Sequence, residues 1–286
     1  MPIVSPLAWA VLTSVALTPR TGTPPVHLPA STAAHRATAD ATADATADAA
    51  SASATRADPS GEQILRQMHD RYTGKWYHSM TFVQTTTAWD STGAKTVATW
   101  YESITLPGTI RIDFAPRSDG NGVLATHDST FIVQHGAVST VRAGGNILLT
   151  LAFDVYLGPV DHTVSAVRTA GYDLSKVHRD VWQGMPVYVV GADSGNLNTP
   201  QFWVDTKRLL LVRILTPTKP GATQLRDVRF NQWRPIDGGW IAPNVEFFVG
   251  TTRQRLEAYA DIKTNVTLSP KLFDVTQWTT APHWAP

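Results

Sequence analysis

Apolar and polar residues follow their most regular pattern along residues 182–215. A β-branched and aromatic run occupies 187–190, a connection rich in turn-forming residues occupies 191–199, and an apolar period of two resumes from Phe202 to Leu215. This pattern predicts three consecutive antiparallel strands with one covered face and one face in contact with water. The element that covers the buried face should therefore be informative about function.

The same period of two marks the chain on either side of this stretch. Short alternating runs separated by Gly-, Asp- and Asn-rich turns occupy residues 79–133 and 225–262. In total the pattern predicts about ten or eleven antiparallel strands, and turn spacing of this regularity is typical of a barrel or a strongly curved sheet. We therefore expect a mainly β (α+β) fold.

A helical pattern precedes the first strand. Ser60 and Gln63 have the spacing of a capping box, and the apolar residues that follow lie on one helical face as far as Tyr72. A helix with a single apolar stripe needs a sheet or another helix to pack against.

A second helical segment interrupts the strands at residues 147–157. Asn146 and Gly158 suit its two ends, so the length predicts a three-turn helix. Because it is apolar almost all round, with Asp154 as its single charge, it must be buried or face an apolar ligand. Residues 160–176 have an ambiguous pattern that is compatible with a short strand and a short helix.

The two ends of the chain lack a core-forming pattern. Residues 7–18 form an apolar run that is too short to span a bilayer and suits the core of a signal peptide, although no Lys or Arg precedes it. Residues 19–57, with three copies of Ala-Thr-Ala-Asp, predict a disordered tether. We therefore expect an exported, periplasmic protein with one folded domain at 58–286, in preference to a cytoplasmic protein with an accidental apolar start. Residues 276–286 are expected to form a loose tail.

Composition excludes several classes of function. The 286 residues carry a net charge of +1 with no local cluster of Lys and Arg, which argues against nucleic acid as a partner. The chain has no Cys, which excludes disulfides, thiol catalysis, Cys-based zinc sites and a lipid anchor on Cys. We expect a monomer with no cofactor.

Catalytic and metal-binding patterns are weak. His127-Asp128 and Asp161-His162 each combine a base with a carboxylate, but adjacent residues on a strand point to opposite faces. The nine His residues lack zinc-ligand spacing, and there is no Gly-Xaa-Ser-Xaa-Gly elbow. We therefore predict no catalytic residues, no metal site and no enzymatic activity.

The order of short motifs along residues 60–275 is informative. After the first helix come Phe82-Val83-Gln84, Pro107-Gly108-Thr109-Ile110-Arg111, the apolar segment, Trp203-Val204-Asp205, Gly238-Gly239-Trp240 and Leu272-Phe273-Asp274. This order resembles the LolA-like family of outer-membrane lipoprotein-sorting proteins.

The resemblance implies an incomplete, strongly curved antiparallel half-barrel whose open concave side is covered by helices. It also implies an apolar cavity in which a periplasmic carrier shelters acyl chains of lipids or lipoproteins, with residues 147–157 as its lid. Burying a chain contributes ~0.8 kcal/mol per CH₂, so an apolar lining suffices for binding. The candidate lining residues are Phe82, Trp100, Ile110, Ile112, Phe114, Leu148, Leu151, Phe153, Val228 and Phe230.

One position departs from the family pattern. The carriers commonly have an Arg just before the Pro of the Pro-containing strand, which ties the lid to the barrel, and here Leu106 stands in that place. Arg111 is the candidate for this lid-to-barrel polar contact, although its alternation with Ile110 and Ile112 aims it at the other face.

Two alternatives remain open. The same fold could serve as an envelope sensor or protein-interaction module that binds a protein partner through its cavity or an edge strand. A hydrolase using His127 and Asp128 would need both side chains to converge in one cleft.

Overall fold

The computed structural model describes residues 58–219 and 221–286, so the predicted signal peptide and tether lie outside the described residues. Within them are three α-helices and fifteen strands. The helices are α1 (Gly61–Tyr72), α2 (Ile147–Ala152) and α3 (Val160–Thr169). The strands are β1 (Ser79–Trp89), β2 (Lys95–Thr105), β3 (Thr109–Phe114), β4 (Gly122–Ala125), β5 (Ser129–Gln134), β6 (Ala137–Ala143), β7 (Val177–Trp182), β8 (Met185–Val190), β9 (Gln201–Asp205), β10 (Leu211–Pro217), β11 (Leu225–Asn231), β12 (Arg234–Ile236), β13 (Gly239–Ile241), β14 (Asn244–Val249) and β15 (Thr252–Thr264).

Thirteen of the described strands form one antiparallel sheet in the order β6-β5-β4-β3-β2-β1-β15-β14-β11-β10-β9-β8-β7. The sheet is not closed, because β6 and β7 lie at opposite edges. The three strands predicted between residues 182 and 215 are confirmed as β8, β9 and β10. The expected water-facing side is wrong, because β9 and nearly all of β10 are buried on both faces, where a second apolar cluster that includes Trp203 and Val212 packs. The architecture is a mainly β, curved half-barrel, as the sequence predicted.

The sequence pattern missed four strands. β6 and β7 are edge strands with largely exposed side chains, so they lack the apolar alternation of a half-buried strand. β12 and β13 form a separate short hairpin, and their Pro- and Gly-rich sequences suggested only a turn.

Helix α1 begins where its capping box predicts. The Gln63 N–H donates to Ser60 Oγ at 3.3 Å, and the Ser60 N–H donates to Gln63 Oε1 at 2.8 Å. Its apolar stripe packs on one face of the sheet, which we call the inner face, together with α2 and α3. The prediction for this helix, including its end at Tyr72, is confirmed.

The prediction of a three-turn helix over 147–157 is wrong. α2 ends after six residues, and a single 3₁₀ turn, Asp154–Tyr156, continues the chain. The break turns the Asp154 carboxylate and the Tyr156 ring into the core, where both side chains are buried. We call residues 147–157 the covering segment. α3 follows and shows a helix in the ambiguous stretch, which contains no strand because the next strand begins at Val177.

The C-terminal residues pack on the outer face of the sheet, so the expectation of a loose tail is also wrong. Trp278 is 3% exposed and packs with Leu124 and Val133. Trp284 Nε1 donates to Ser103 Oγ at 2.7 Å. Aromatic side chains supply enough buried area to hold an otherwise irregular segment in place.

Of the helices in the described residues, none combines the length and the apolar character needed to cross a membrane.

Candidate functional site

A cavity of about 80 Å³ lies between α2 and the inner face of the sheet. We call it the inner cavity. The strands around it are β1 to β3, β11, β14 and β15, and its walls are mostly aliphatic and aromatic. The lining side chains are Phe82, Trp100, Glu102, Ile104, Ile110, Ile112, Asn146, Leu148, Leu149, Ala152, Phe153, Phe230, Val245, Phe247, Arg255, Glu257 and Tyr259.

The structure brings seven of the ten candidate lining residues to this cavity: Phe82, Trp100, Ile110, Ile112, Leu148, Phe153 and Phe230. The other three lie close by. Phe114 packs against Trp100 with ring centroids 5.0 Å apart, while Leu151 and Val228 are buried in the surrounding core. Contact of these residues with a lipid stays a prediction.

The inner cavity is smaller than the resemblance led us to expect. Ligand pockets commonly have volumes of ~300–1,000 Å³, so about 80 Å³ is too little for an acyl chain. Side chains of the sheet and the covering segment fill most of the space.

A second, larger cavity of about 430 Å³ lies on the other side of α2. We call it the outer cavity. Ile147, Thr150 and Asp154 face it, whereas Leu148 and its neighbours face the inner cavity. The rest of its wall comes from the loop before β5, the loop after β6, the β2–β3 turn, the residues just before α3, and α3 itself. One short helix thus separates the two spaces.

The covering segment is tied to the sheet by Asp154. Its Oδ1 accepts a hydrogen bond of 2.7 Å from the backbone N–H of Gly108, in the turn between β2 and β3. Burial raises the pKa of the Asp154 carboxyl to about 7, and the hydrogen bond from Gly108 opposes this shift only in part. Two residues later, the Leu211 N–H donates to Tyr156 Oη at 3.2 Å.

Arg111 does not make the predicted lid-to-barrel contact. Its side chain lies on the outer face, where Nε and Nη2 each donate to Asp113 at 2.7 Å. The same guanidinium donates to the carbonyl oxygens of Leu272 and Trp278 at 2.8 Å each. Arg111 therefore holds the C-terminal segment, and the Asp154 hydrogen bond links the covering segment to the sheet instead.

A cluster of charged side chains interrupts the apolar wall of the inner cavity. Glu102, Arg255 and Glu257 are 4%, 6% and 7% exposed, and Arg255 Nε lies 3.0 Å from Glu257 Oε1. The Tyr259 hydroxyl donates to Glu257 Oε2 at 3.0 Å. We call Glu102, Arg255 and Glu257 the polar cluster.

Burial dominates the electrostatics of this cluster. It raises the pKa of the Glu102 carboxyl well above its usual value, with Glu257 adding to the shift and Arg255 opposing it. Burial also raises the pKa of Glu257, against the influence of Arg255 and the hydrogen bond from Tyr259. The protonated forms of both carboxyls are favoured relative to exposed Glu side chains.

Sequence reasoning missed this cluster because the alternation on β15 is misleading. Leu256 and Ala258 are apolar and suggest the buried face, yet Arg255 and Glu257 are the buried residues. The available signal was on β2, where Glu102 has the same parity as Trp100, which we had assigned to the cavity.

The candidate catalytic pairs do not form dyads in the described residues. His127 and Asp128 both line the outer cavity, but Asp128 accepts a hydrogen bond from Thr126 Oγ1 at 3.1 Å and none from His127. Asp161 pairs with Arg66 at 2.8 Å, while His162 lines the outer cavity. Among the described residues, no three His, Asp or Glu side chains are grouped as a metal site.

Comparison of the sequence with protein-family models and with curated proteins gave no match. Comparison of the structure with solved structures did. A LolA superfamily protein from Nitrosomonas europaea aligns with a TM-score of 0.50 and 13% identity, over 76% of this chain and 98% of that chain.

Two further structures are similar to the same extent. A putative outer membrane lipoprotein-sorting protein domain from Vibrio parahaemolyticus aligns with a TM-score of 0.51 and 14% identity, over 76% of this chain and 97% of that chain. A DUF1329 family protein from Desulfovibrio piger aligns with a TM-score of 0.50 and 13% identity, over 75% of this chain and 95% of that chain. The chain therefore has the LolA-like fold that the order of its sequence motifs predicted.

Proposed function

We propose that this protein is a periplasmic, non-enzymatic carrier that binds acyl chains of lipids or lipoproteins between the sheet and the covering segment. The observation that carries the proposal is the position of α2 between two cavities. Its inner side contacts an apolar wall, and its outer side borders about 430 Å³ of space. The similarity to the lipoprotein-sorting protein domain from Vibrio parahaemolyticus supports the same class of ligand.

Binding requires α2 to move towards the outer cavity. The helix has six residues, and an isolated helix of that length has little stability of its own. Displacing it exposes the apolar wall, and an acyl chain replaces the lost contacts at ~0.8 kcal/mol per buried CH₂. Asp154 and Tyr156 keep the end of the covering segment in contact with the sheet while α2 moves.

Native mass spectrometry of protein purified without detergent, together with uptake of a fluorescent fatty acid, tests this function. Leu148→Asp places a charge in the cavity wall and should abolish uptake while the protein remains folded. Leu197→Asp is the matched control, since Leu197 is 46% exposed and should tolerate the same substitution. Absence of bound lipid and of uptake by the unmodified protein would refute the proposal.

A second candidate function is binding of an extended protein segment at an edge of the sheet. Val138 and Val141 are 39% and 57% exposed on the edge strand β6, and Val181 is 63% exposed on the opposite edge strand β7. Exposed apolar side chains beside free backbone groups suit addition of a strand. A co-purified protein without lipid, lost on Val141→Lys substitution, would favour this function over the carrier.

A further inference from the structure

Two polar side chains of the outer cavity are deeply buried and have unused hydrogen-bonding atoms. Asp154 is 5% exposed, Thr163 on α3 is 3% exposed, and both border the cavity. Asp154 Oδ1 accepts from the Gly108 N–H, but within the described chain Asp154 Oδ2 and the Thr163 hydroxyl have no hydrogen-bond partner. Both oxygens keep some exposed surface, so a ligand in the cavity can reach them. Because buried polar atoms normally have partners, these oxygens are candidates for contact with a ligand.

Close backbone contacts form the wall around these two residues. The His127 ring packs against Gly108, in the place that a side chain at position 108 would take. Gly145 lies against the carbonyl oxygen of His127, so the loop before β5 and the loop after β6 are held together. The resulting space of about 430 Å³ is within the range of small-molecule sites.

The wall of the outer cavity contains carboxyl groups and no permanent cation. Asp128 and Asp154 contribute the carboxyls, His127 and His162 contribute imidazoles, and no Lys or Arg of the described residues borders the space. Burial raises the pKa of Asp154 to about 7, and only the hydrogen bond from Gly108 opposes this shift. A positive charge beside Asp154 is therefore missing from the protein itself.

The cations of the neighbouring helices are engaged outside this cavity. Arg168 on α3 pairs with Glu62, and Arg66 on α1 pairs with Asp161. Arg142 on β6 does not border the cavity. A cationic ligand would therefore meet no arginine or lysine in the wall.

The unused oxygens favour a ligand with N–H donors and a positive charge. A carboxylate or phosphate would bring a second negative charge next to Asp154, and an apolar ligand would leave both oxygens unpaired. A neutral alcohol could donate, but charge-assisted hydrogen bonds are about twice as strong as neutral ones. A primary ammonium group has three N–H donors and a positive charge, so it meets both requirements.

We propose that the outer cavity binds a small organic cation through a primary ammonium group, which donates to Asp154 Oδ2 and Thr163 Oγ1. This site is separate from the proposed acyl-chain site, because α2 lies between the two cavities. The inference therefore goes beyond the proposed function and does not depend on it.

Ethanolamine, choline and ethylene glycol form a matched series that tests the site. Ethanolamine has the charge and the N–H donors, choline keeps the charge but has methyl groups in place of the N–H donors, and ethylene glycol donates without a charge. Titrations followed by NMR chemical shifts at pH 8 keep most of Asp154 ionised, because its pKa is about 7. We expect ethanolamine to shift the amide signals of Thr163 and the covering segment, at about tenfold lower concentration than either analogue.

Two conservative variants assign the binding to these residues. Asp154→Asn keeps an acceptor for the Gly108 N–H but removes the charge, so ethanolamine should bind no better than ethylene glycol. Thr163→Val removes the hydroxyl with little change in volume and should weaken ethanolamine binding by roughly two- to tenfold. Asp193→Asn is the matched control, since Asp193 pairs with Lys176 and does not border the cavity. Thermal unfolding checks that each variant is folded.

The outcomes separate this inference from the proposed function. The inference is overturned if ethanolamine shifts no signals of the cavity wall, if either analogue binds the unmodified protein equally well, or if folded Asp154→Asn protein keeps the preference for ethanolamine. Lipid uptake is measured independently, so the carrier function can stand when this site fails, and this site can stand when no lipid binds.

Discussion

Asp154 Oδ1 accepts a 2.7 Å hydrogen bond from the backbone N–H of Gly108 and so joins the covering segment to the turn between β2 and β3. The resemblance led us to look for an arginine in this role. Leu106 stands in the usual place of that arginine and is buried in the core. Arg111 lies on the opposite face of the sheet, where it binds the C-terminal segment. A buried carboxyl acceptor therefore performs the connection in this chain.

Asp154 should make stability depend on pH. Its pKa is about 7 in the folded protein against an ordinary value of 3.8, so the folded state binds more protons between these values. The free energy of unfolding should therefore fall as pH rises from 4 to 7, by at most about 4 kcal/mol from this group.

Asp154→Asn isolates this contribution, because the amide oxygen still accepts from Gly108 but does not titrate. His127 and His162 line the same cavity, so the difference between the two proteins is the quantity to measure. Chemical denaturation from pH 4 to pH 8 should show the variant gaining stability relative to the unmodified protein. Parallel pH profiles would contradict the assignment.

Gly145 should be required for the conformation of the chain just before α2. A Cβ at this position would lie 2.3 Å from the carbonyl oxygen of His127. Because this oxygen belongs to the backbone, a change of side-chain rotamer cannot relieve the clash. We expect Gly145→Ala to loosen α2, seen as faster hydrogen exchange at residues 147–152. Gly171→Ala is the control: its positive φ of +87° costs ~1–2 kcal/mol, but nothing lies within 4 Å of the added Cβ, so exchange in α2 should not change.

Trp278 should contribute more to stability than a surface tryptophan. It is 3% exposed, and the Arg111 guanidinium lies 3.7 Å from its ring centroid. Trp278→Ala should cost ~3–5 kcal/mol in the free energy of unfolding. Trp89 also contacts an arginine, since the Arg253 guanidinium lies 4.4 Å from its ring centroid, but Trp89 is only half-buried. Trp89→Ala should therefore lower the free energy of unfolding by clearly less. Equal losses would mean that the C-terminal segment is held loosely.

Arg111→Met should destabilise the protein without changing lipid uptake. The substitution leaves Asp113, 4% exposed, without its main partner, which should cost ~3–5 kcal/mol. Arg253→Met breaks the more exposed pair with Glu246 and should cost ~1 kcal/mol or less. Loss of uptake by folded Arg111→Met protein would restore a role for this arginine at the covering segment.

Much of the fold followed from local sequence signals. The start of α1 is encoded by Ser60 and Gln63, which bond to each other across three positions. Strands β8 to β10 were predicted from short apolar runs bounded by turn residues, although β9 and nearly all of β10 are buried on both faces. Such signals act within a few residues, where the chain's own geometry decides what can meet.

The interior of the candidate site was less predictable. The sequence showed an apolar segment at 147–157, but its break after α2 depends on Asp154 meeting Gly108, 46 positions away. The tail depends likewise on Trp278 reaching an apolar patch on β4 and β5. Neither contact could be predicted from a periodic pattern of apolar residues in the local sequence.

The sequence by itself determined the curved antiparallel sheet, the covering segment and most of the apolar lining, because burial of alternating side chains imposes those features strand by strand. Only the tertiary structure decided that Arg255 and Glu257 point inward while Leu256 and Ala258 lie half-exposed. Buried charges are tolerated where partners from distant strands surround them, and the pairing of β15 with β1 and of β1 with β2 brings those partners together.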